Sequence, residues 1–304
     1  MVGIILIIFL IIWIIAGNYF YNSILNRKTA TLKYLNIFNE NEKKLKNELN
    51  KQHYNYLKEE TLIDEIKINS FDKTKLYSRY IKNKGNKWVI LQHGYLDNGS
   101  TYYPLARFYY DLGFNVLLID IRSHGKSGGK FITMGKYESM DIKYWIKFIK
   151  SKSKKPQIII HGISMGAFIT LLSSKYATKD VKLLISEGSY TSIKNILNHQ
   201  IGEKFGIITM PIYMMGSFIT KLRTGVNIND VSALTTLREN EIPTVFIHSA
   251  KDSTIPEYMV KELYNANKGL KEMHILEGKH SLLSITNKEK YHKIIKEGIK
   301  KYIK

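Results

Sequence analysis

Ser164 stands between two glycines in "IIIHGISMGAF", Ile158 to Phe168, where an apolar run ends. If that run is a buried strand, the serine occupies its C-terminal tip, in a turn too tight for ordinary side chains. Such a turn holds a hydroxyl out as a nucleophile. Gly162-Ile163-Ser164-Met165-Gly166 matches the nucleophile-elbow pattern, with an apolar run before it and a helical pattern after it, as the pattern requires. The plainer reading of the same serine is a cap for the helix that follows.

A serine hydroxyl attacks only with a base beside it and a third group to orient that base. Of the nine histidines, His280 in "EMHILEGKHSLL" follows the last apolar run, on a loop at the run's carboxyl end. His161, His248 and His274 lie inside strand patterns, and His53, His199 and His292 in helical ones, so His280 is the expected base. The expected acid is Asp252 in "FIHSAKDSTIP", just past the preceding strand pattern, with Glu187 in "LLISEGS" as the alternative. The chain order serine, aspartate, histidine is the one this strand-helix architecture carries.

Acyl transfer also requires donors for an oxyanion. The N–H of Met165, directly after the serine, is one. The N–H of Tyr95, in the loop after "WVILQHG", is the other, with His93 fixing that loop and not acting as a base.

These residues need a scaffold that brings several strand ends together. After a hairpin pattern, "LIDEIKINS" and "KLYSRYIKN" around "FDKT", short Val- and Ile-rich runs alternate with helical stretches to the C-terminus. Runs apolar on both faces and followed by helices specify a mostly parallel central sheet with helices on both faces, an α/β doubly wound fold. In such sheets ligands bind beyond the carboxyl ends of the strands. Residues 190–240 interrupt the alternation with a helical, Met- and Phe-rich insertion, expected to form a cap whose Met210, Met214, Met215 and Phe218 line an acyl pocket.

The N-terminus is apolar, and no charged side chain precedes Arg27. Residues 1–26 are long enough for a helix across a hydrocarbon core of about 30 Å, with Trp13, Tyr19, Phe20 and Tyr21 suited to an interfacial belt. The alternative, a cleaved signal peptide, calls for a basic n-region and small residues before the cut. Ile14 and Ile15 precede Ala16 and Gly17 instead, which favours a single-pass membrane anchor. Arg27, Lys28 and Lys33 on its flank favour a cytoplasmic body, although lysines throughout the chain leave the side open. Residues 27–61 read as a helical spacer and 62–304 as the α/β body.

Composition narrows the function classes. The 304 residues are 44% hydrophobic and 24% charged, which is globular composition. Absence of cysteine excludes disulfides, thiolate metal sites and a cysteine nucleophile. The net charge of +20 is spread through every segment without a basic block, so nucleic acid is not an expected partner. No phosphate loop or histidine pair at metal-ligand spacing occurs, and no cofactor is implied.

Together, "LQHGYLDN", "LLIDIRSHGKSGG", "HGISMGA", "FIHSAKDSTIP" and "EGKHS" resemble the α/β-hydrolase superfamily from about Leu62 to the C-terminus. Within it they resemble bacterial membrane-anchored serine hydrolases of the serine aminopeptidase-like or Bem46-like group. The resemblance implies Ser164 as nucleophile, Asp252 and His280 as partners, and Tyr95 with Met165 as oxyanion hole. It also makes Asp120, Arg122, His124, Gly125 and Ser127 structural loop residues. Two departures stand out: "HGYL" replaces the glycine run of many lipases, and Lys279 brings a positive charge next to the base in sequence. The expected function is a serine hydrolase for small ester substrates, with thioesters and amides within the same chemistry, and lipid-derived or acylated substrates suggested by the anchor. An aminopeptidase, using Glu187, Glu203 or Asp230 to hold a substrate amine, is the second reading. A non-catalytic scaffold is the third.

Overall fold

A computed structural model of the protein describes residues 2–30, 39–205 and 209–304, with the side chains of residues 2, 201–205 and 209 left out. The elements in chain order are α1 (Val2–Ile24), α2 (Glu40–Glu60), β1 (Ile63–Asn69), β2 (Lys75–Ile81), β3 (Lys87–Gln92), α3 (Tyr103–Asp111) and β4 (Asn115–Asp120). Then come α4 (Lys136–Lys152), β5 (Gln157–Ile163), α5 (Met165–Ser173), β6 (Val181–Glu187), α6 (Ile193–Phe205), α7 (Thr209–Thr224) and α8 (Ala233–Leu237). The chain ends with β7 (Thr244–Ser249), α9 (Glu257–Ala266), β8 (Lys271–Leu276), α10 (Leu283–Thr286) and α11 (Lys288–Tyr302).

The strands form one sheet in the order β1-β2-β4-β3-β5-β6-β7-β8. The first hairpin pairs antiparallel, Ile63 opposite Ile81, and β2 meets β4 antiparallel. From β4 to β8 every pair is parallel. Side chains alternate across a strand, and the sheet uses both faces. Ile158 and Ile160 of β5 enter one core with Trp145 of α4 and Phe168 of α5. Ile159 and Ile163 enter the other with Tyr109 of α3 and Tyr291 of α11. Burial on both faces explains why the strand sequences read as unbroken Val and Ile runs.

The N-terminal segments are bound to this body more closely than an anchor and spacer need be. Helix α1 exposes Ile4 through Ile15 but buries Phe20 and Tyr21 in the core, and Leu25, just beyond its end, is buried with them. The expected interfacial belt is corrected for two of its four residues: Phe20 packs edge-on against Tyr213 of α7, at a ring-centroid distance of 6.1 Å, and Tyr21 is buried, whereas Trp13 and Tyr19 stay exposed. After α1 the chain crosses the body, where Asn26 bridges Phe131 and Arg27 donates to the Gly125 carbonyl at 2.8 Å. Residues 31–38, which include Lys33 and part of the expected spacer, lie outside the described residues. Helix α2 opens with a capping box between Asn39 and Glu42. It lies on α3, with Leu57 fully buried, Tyr54 against the Tyr103 ring and Arg107 3.5 Å over the Tyr56 ring.

Candidate active site

Strand β5 turns directly into α5, and Ser164 stands at the turn with φ 58° and ψ −119°. Only close packing of backbone against backbone makes that turn possible. A Cβ on Gly162 would fall 2.1 Å from the Gly166 carbonyl oxygen, and one on Gly166 would fall 2.4 Å from the Gln92 carbonyl oxygen at the end of β3. Both glycines are thus required by space. Ser164 makes no side-chain capping bond to α5, so its hydroxyl is not spent on the helix. It is half-buried, while everything around it on β5 and α5 is buried.

Its partner is His280. The imidazole Nε2 lies 2.9 Å from Ser164 Oγ, and Nδ1 lies 2.6 Å from Asp252 Oδ2. The three residues come from the loops after β5, β7 and β8, all at the carboxyl end of the sheet. The Asp252 side chain is nearly fully buried, and its other oxygen accepts the N–H groups of Thr254 and Ile255 at 2.9 and 2.8 Å. Burial alone would raise this carboxyl; the bonds from His280 and the backbone outweigh it and hold the group below the ordinary carboxylate range. The His280 loop is pinned by Ser249, whose hydroxyl donates to the Lys279 carbonyl at 3.0 Å.

The loop after β3 completes the site. A Cβ on Gly94 would lie 3.9 Å from Ser164 Oγ, so the backbone entering Tyr95 passes beside the serine. His93 holds this loop from below. Its Nε2 accepts the Ile121 N–H at 2.9 Å, which leaves Nδ1 to donate to the Gly94 carbonyl at 2.7 Å, and burial pushes its pKa down. Asp97 in the same loop is paired with Lys46 of α2 at 3.2 Å. Met165 opens α5, so its N–H is one of the orphan donors of that helix.

Several sequence expectations change here. Glu187, the alternative acid, does not reach His280 by a hydrogen bond. It lies buried with its Oε2 accepting from the Tyr291 hydroxyl at 2.6 Å, and burial pushes its carboxyl up to about 7. Tyr291 also meets His161 Nε2, and Tyr109 meets His161 Nδ1, both at 3.0 Å. His161 is thus a packed residue of the α3–α11 face, and burial lowers its pKa to about 3. Lys279 turns away from the base: its ammonium is 2.6 Å from Glu42 of α2. Asp230 bonds Asn227 at 2.9 Å, and the side chain of Glu203 lies outside the described residues.

The "DIRSHGKSGG" segment is a knot of structural bonds. Arg122 is bidentate to Asp141 at 2.9 and 2.7 Å, Asp120 takes Arg79 at 2.9 Å and the Gly99 N–H at 2.8 Å, and Tyr77 N–H donates to Ser127 at 2.8 Å.

The insertion between β6 and β7 contains α6, α7 and α8. Its apolar side chains do not line one pocket: Met215 packs against α1, Met210 is half-buried, and Met214 and Phe218 face outward, each 56% exposed. The helical period puts 214 and 218 on one face and 215 and 219 on the next, a division that composition alone does not show.

One residue was not singled out from the sequence. Gly188, with φ 62°, follows β6, and a Cβ there would lie 3.1 Å from His280 Cε1 and 3.8 Å from Asp252 Oδ2. The glycine directly after a strand in "SEGS" is the signal that could have marked it.

A mostly parallel eight-stranded sheet with this tight strand-turn-helix serine and a histidine and aspartate on the neighbouring loops is the architecture of an α/β hydrolase. A family model described as "Serine aminopeptidase, S33" matches residues 83–224. The uncharacterized protein YqkD of Bacillus subtilis is 31% identical over 212 residues, 69% of this chain and 70% of that one. Protein bem46 of Schizosaccharomyces pombe is 28% identical over 173 residues, 55% of this chain and 52% of its own. The solved structure of the Pyrococcus furiosus esterase Pf2001 superposes with a TM-score of 0.66 at 25% identity, over 81% of this chain and 94% of that one. The chain belongs to the α/β-hydrolase superfamily and is a hydrolase of that fold.

Proposed function

We propose that the protein is a membrane-anchored serine hydrolase that cleaves carboxylic esters through an acyl-enzyme, with Ser164, His280 and Asp252 as its triad. The observation that carries this reading is the unbroken chain Ser164 Oγ, His280 Nε2 at 2.9 Å, His280 Nδ1, Asp252 Oδ2 at 2.6 Å, on a serine held at φ 58°. In the first half-reaction Ser164 Oγ bonds to the ester carbonyl carbon as its proton passes to His280 Nε2. Asp252 holds the Nδ1–H tautomer and stabilises the imidazolium. The carbonyl oxygen becomes an oxyanion held by the N–H groups of Tyr95 and Met165. The C–O bond to the alcohol breaks as Nε2 returns the proton to it. In the second half-reaction water takes the place of the serine, losing its proton to Nε2, and the acid leaves with Ser164 restored.

In this reading α1 is the anchor, α2 a spacer docked on the body, 62–304 the hydrolase domain, and 190–240 its cap. Thioesters and amides fall within the same chemistry. An aminopeptidase would add an acidic group for the substrate's amine; of the candidates whose side chains are described, Glu187 is engaged below the elbow and Asp230 at the surface, which favours the ester reading.

The test is turnover of p-nitrophenyl esters of increasing acyl length by the full chain in vesicles, beside Ser164→Ala. Turnover lost in the variant, together with loss of fluorophosphonate labelling, supports the reading. Equal turnover in both proteins overturns it.

A further inference from the structure

Helix α7 carries two apolar faces, and among the described residues only one is explained by packing within the protein. Tyr213, Met215 and Ile219 are buried toward α1 and the core. The contact with α1 is close: a Cβ on Gly216 would fall 2.2 Å from the Phe20 ring, and one on Gly17 would fall 2.4 Å from Met215 Cγ. Trp13 Nε1 donates to the Pro211 carbonyl and Arg223 to Asn18 Oδ1, each at 2.7 Å. The second face is the stripe Met214, Phe218 and Leu222, spaced four residues apart and 56%, 56% and 69% exposed. A groove lined by Leu10, Ile14, Phe218 and Leu222 makes the stripe continuous with the exposed side of α1.

The length of α1 decides what meets that stripe. The apolar span Gly3–Ile24 has 22 residues, which at about 1.5 Å per residue reaches roughly 33 Å, enough for a hydrocarbon core of about 30 Å. Helix α7 is hydrogen-bonded to α1 at Trp13. The part of α1 before that point reaches only about 17 Å, so a bilayer crossed by α1 extends to the depth at which α7 is docked. Lys221 and Arg223 sit at the far end of α7 and Lys28 just beyond α1, all three exposed, in position to reach lipid phosphates with their apolar stems along the surface.

We propose that the Met214–Phe218–Leu222 face of α7 is a second membrane contact, immersed in the leaflet through which α1 leaves the bilayer. The two helices together hold the hydrolase body against a leaflet containing anionic phospholipid. The inference rests on reading α1 as a membrane anchor, and it is independent of the reaction at Ser164.

Because the chain has no cysteine, single cysteines report on single positions. Full-length Ile8→Cys, Phe218→Cys and Lys154→Cys proteins, each carrying the fluorophore NBD, are reconstituted into vesicles of phosphatidylcholine and phosphatidylglycerol. All three labelled positions are exposed on the protein, and circular dichroism checks the fold of each. The proposal expects labels at 8 and 218 to emit at shorter wavelength than the label at 154, to be quenched by doxyl-labelled lipid and to be shielded from iodide. A label at 218 quenched by iodide like that at 154, while 8 reports lipid, overturns the α7 contact and leaves the anchor standing. Iodide quenching at both 8 and 218 overturns the anchor and the α7 contact with it. A label at 218 shielded from both quenchers and self-quenched in fully labelled protein identifies a second copy as the occupant, and also overturns the proposal.

Discussion

The Tyr95 hydroxyl donates to the carbonyl of Ile24, the last residue of α1, at 2.6 Å. The backbone of Tyr95 passes beside Ser164 in the candidate site, so one residue joins the end of the apolar N-terminal helix to the loop proposed to hold the oxyanion. Tyr95→Phe removes the bond and leaves the aromatic packing. A neutral hydrogen bond contributes about 1 kcal/mol, and a loosened oxyanion loop acts on the transition state more than on substrate binding. The expected outcome is a kcat lowered about fivefold with KM little changed, measured on a short p-nitrophenyl ester.

Two buried carboxylates lie near the base, and they are expected to respond differently. Asp252 bonds His280 Nδ1 directly, so Asp252→Asn presents a donor to that nitrogen, disfavours the productive tautomer and should lower kcat by about 10²- to 10⁴-fold. Glu187 bonds Tyr291 instead, and Glu187→Gln keeps that bond. Its kcat should stay within about threefold of the parent, the scale of a perturbed neutral hydrogen bond. Steady-state kinetics on the two variants decides which carboxylate orients the base; comparable losses in both would sink the assignment to Asp252.

Much of this arrangement was legible because local and global signals agree. The elbow glycines, the Val and Ile runs of β3 through β7, and the placement of Asp252 and His280 just past their strands all follow from period and position. What could not be read depends on distant pairing. Lys279 adjoins His280 in sequence, yet its ammonium goes to Glu42, 237 residues away, because α2 folds back over the loop. Phe20 and Tyr21 look like interfacial aromatics, and only the docking of α7 buries them. Met214 and Met215 are neighbours in composition and belong to different faces of one helix.

Gly188 should prove necessary for the geometry of the base. Its φ of 62° strains any other residue by roughly 1 kcal/mol, and a methyl group there would press on the His280 ring at 3.1 Å. Gly225 has φ 71° with only Tyr137 Oη near, at 3.8 Å, so Gly225→Ala carries the backbone strain alone. Both variants should melt a few degrees lower than the parent. Only Gly188→Ala should lose activity, by about tenfold in kcat, and equal kinetics in the two would show that the ring contact is slack.

Glu187 also makes a prediction about stability and pH. Burial pushes its folded-state carboxyl up to about 7 from an ordinary 4.5, so between those values the folded chain holds a proton that the unfolded chain has released. Stability from this group is therefore present at low pH and falls as pH rises through the window, by roughly 3 kcal/mol in all. The buried histidines His124 and His161, lowered to about 3, act with the opposite sign. The unfolded chain binds their protons first, so their contribution is lost as pH falls below the ordinary histidine range. The parent alone therefore shows a mixed profile, and the difference between parent and Glu187→Gln isolates one group. The glutamine has no proton to lose, so the variant should gain on the parent as pH rises from about 5 to 7 and hold a constant difference above about 8. Urea unfolding at a series of pH values measures it, and a difference that stays flat across the window would mean that Glu187 is already ionised in the folded protein.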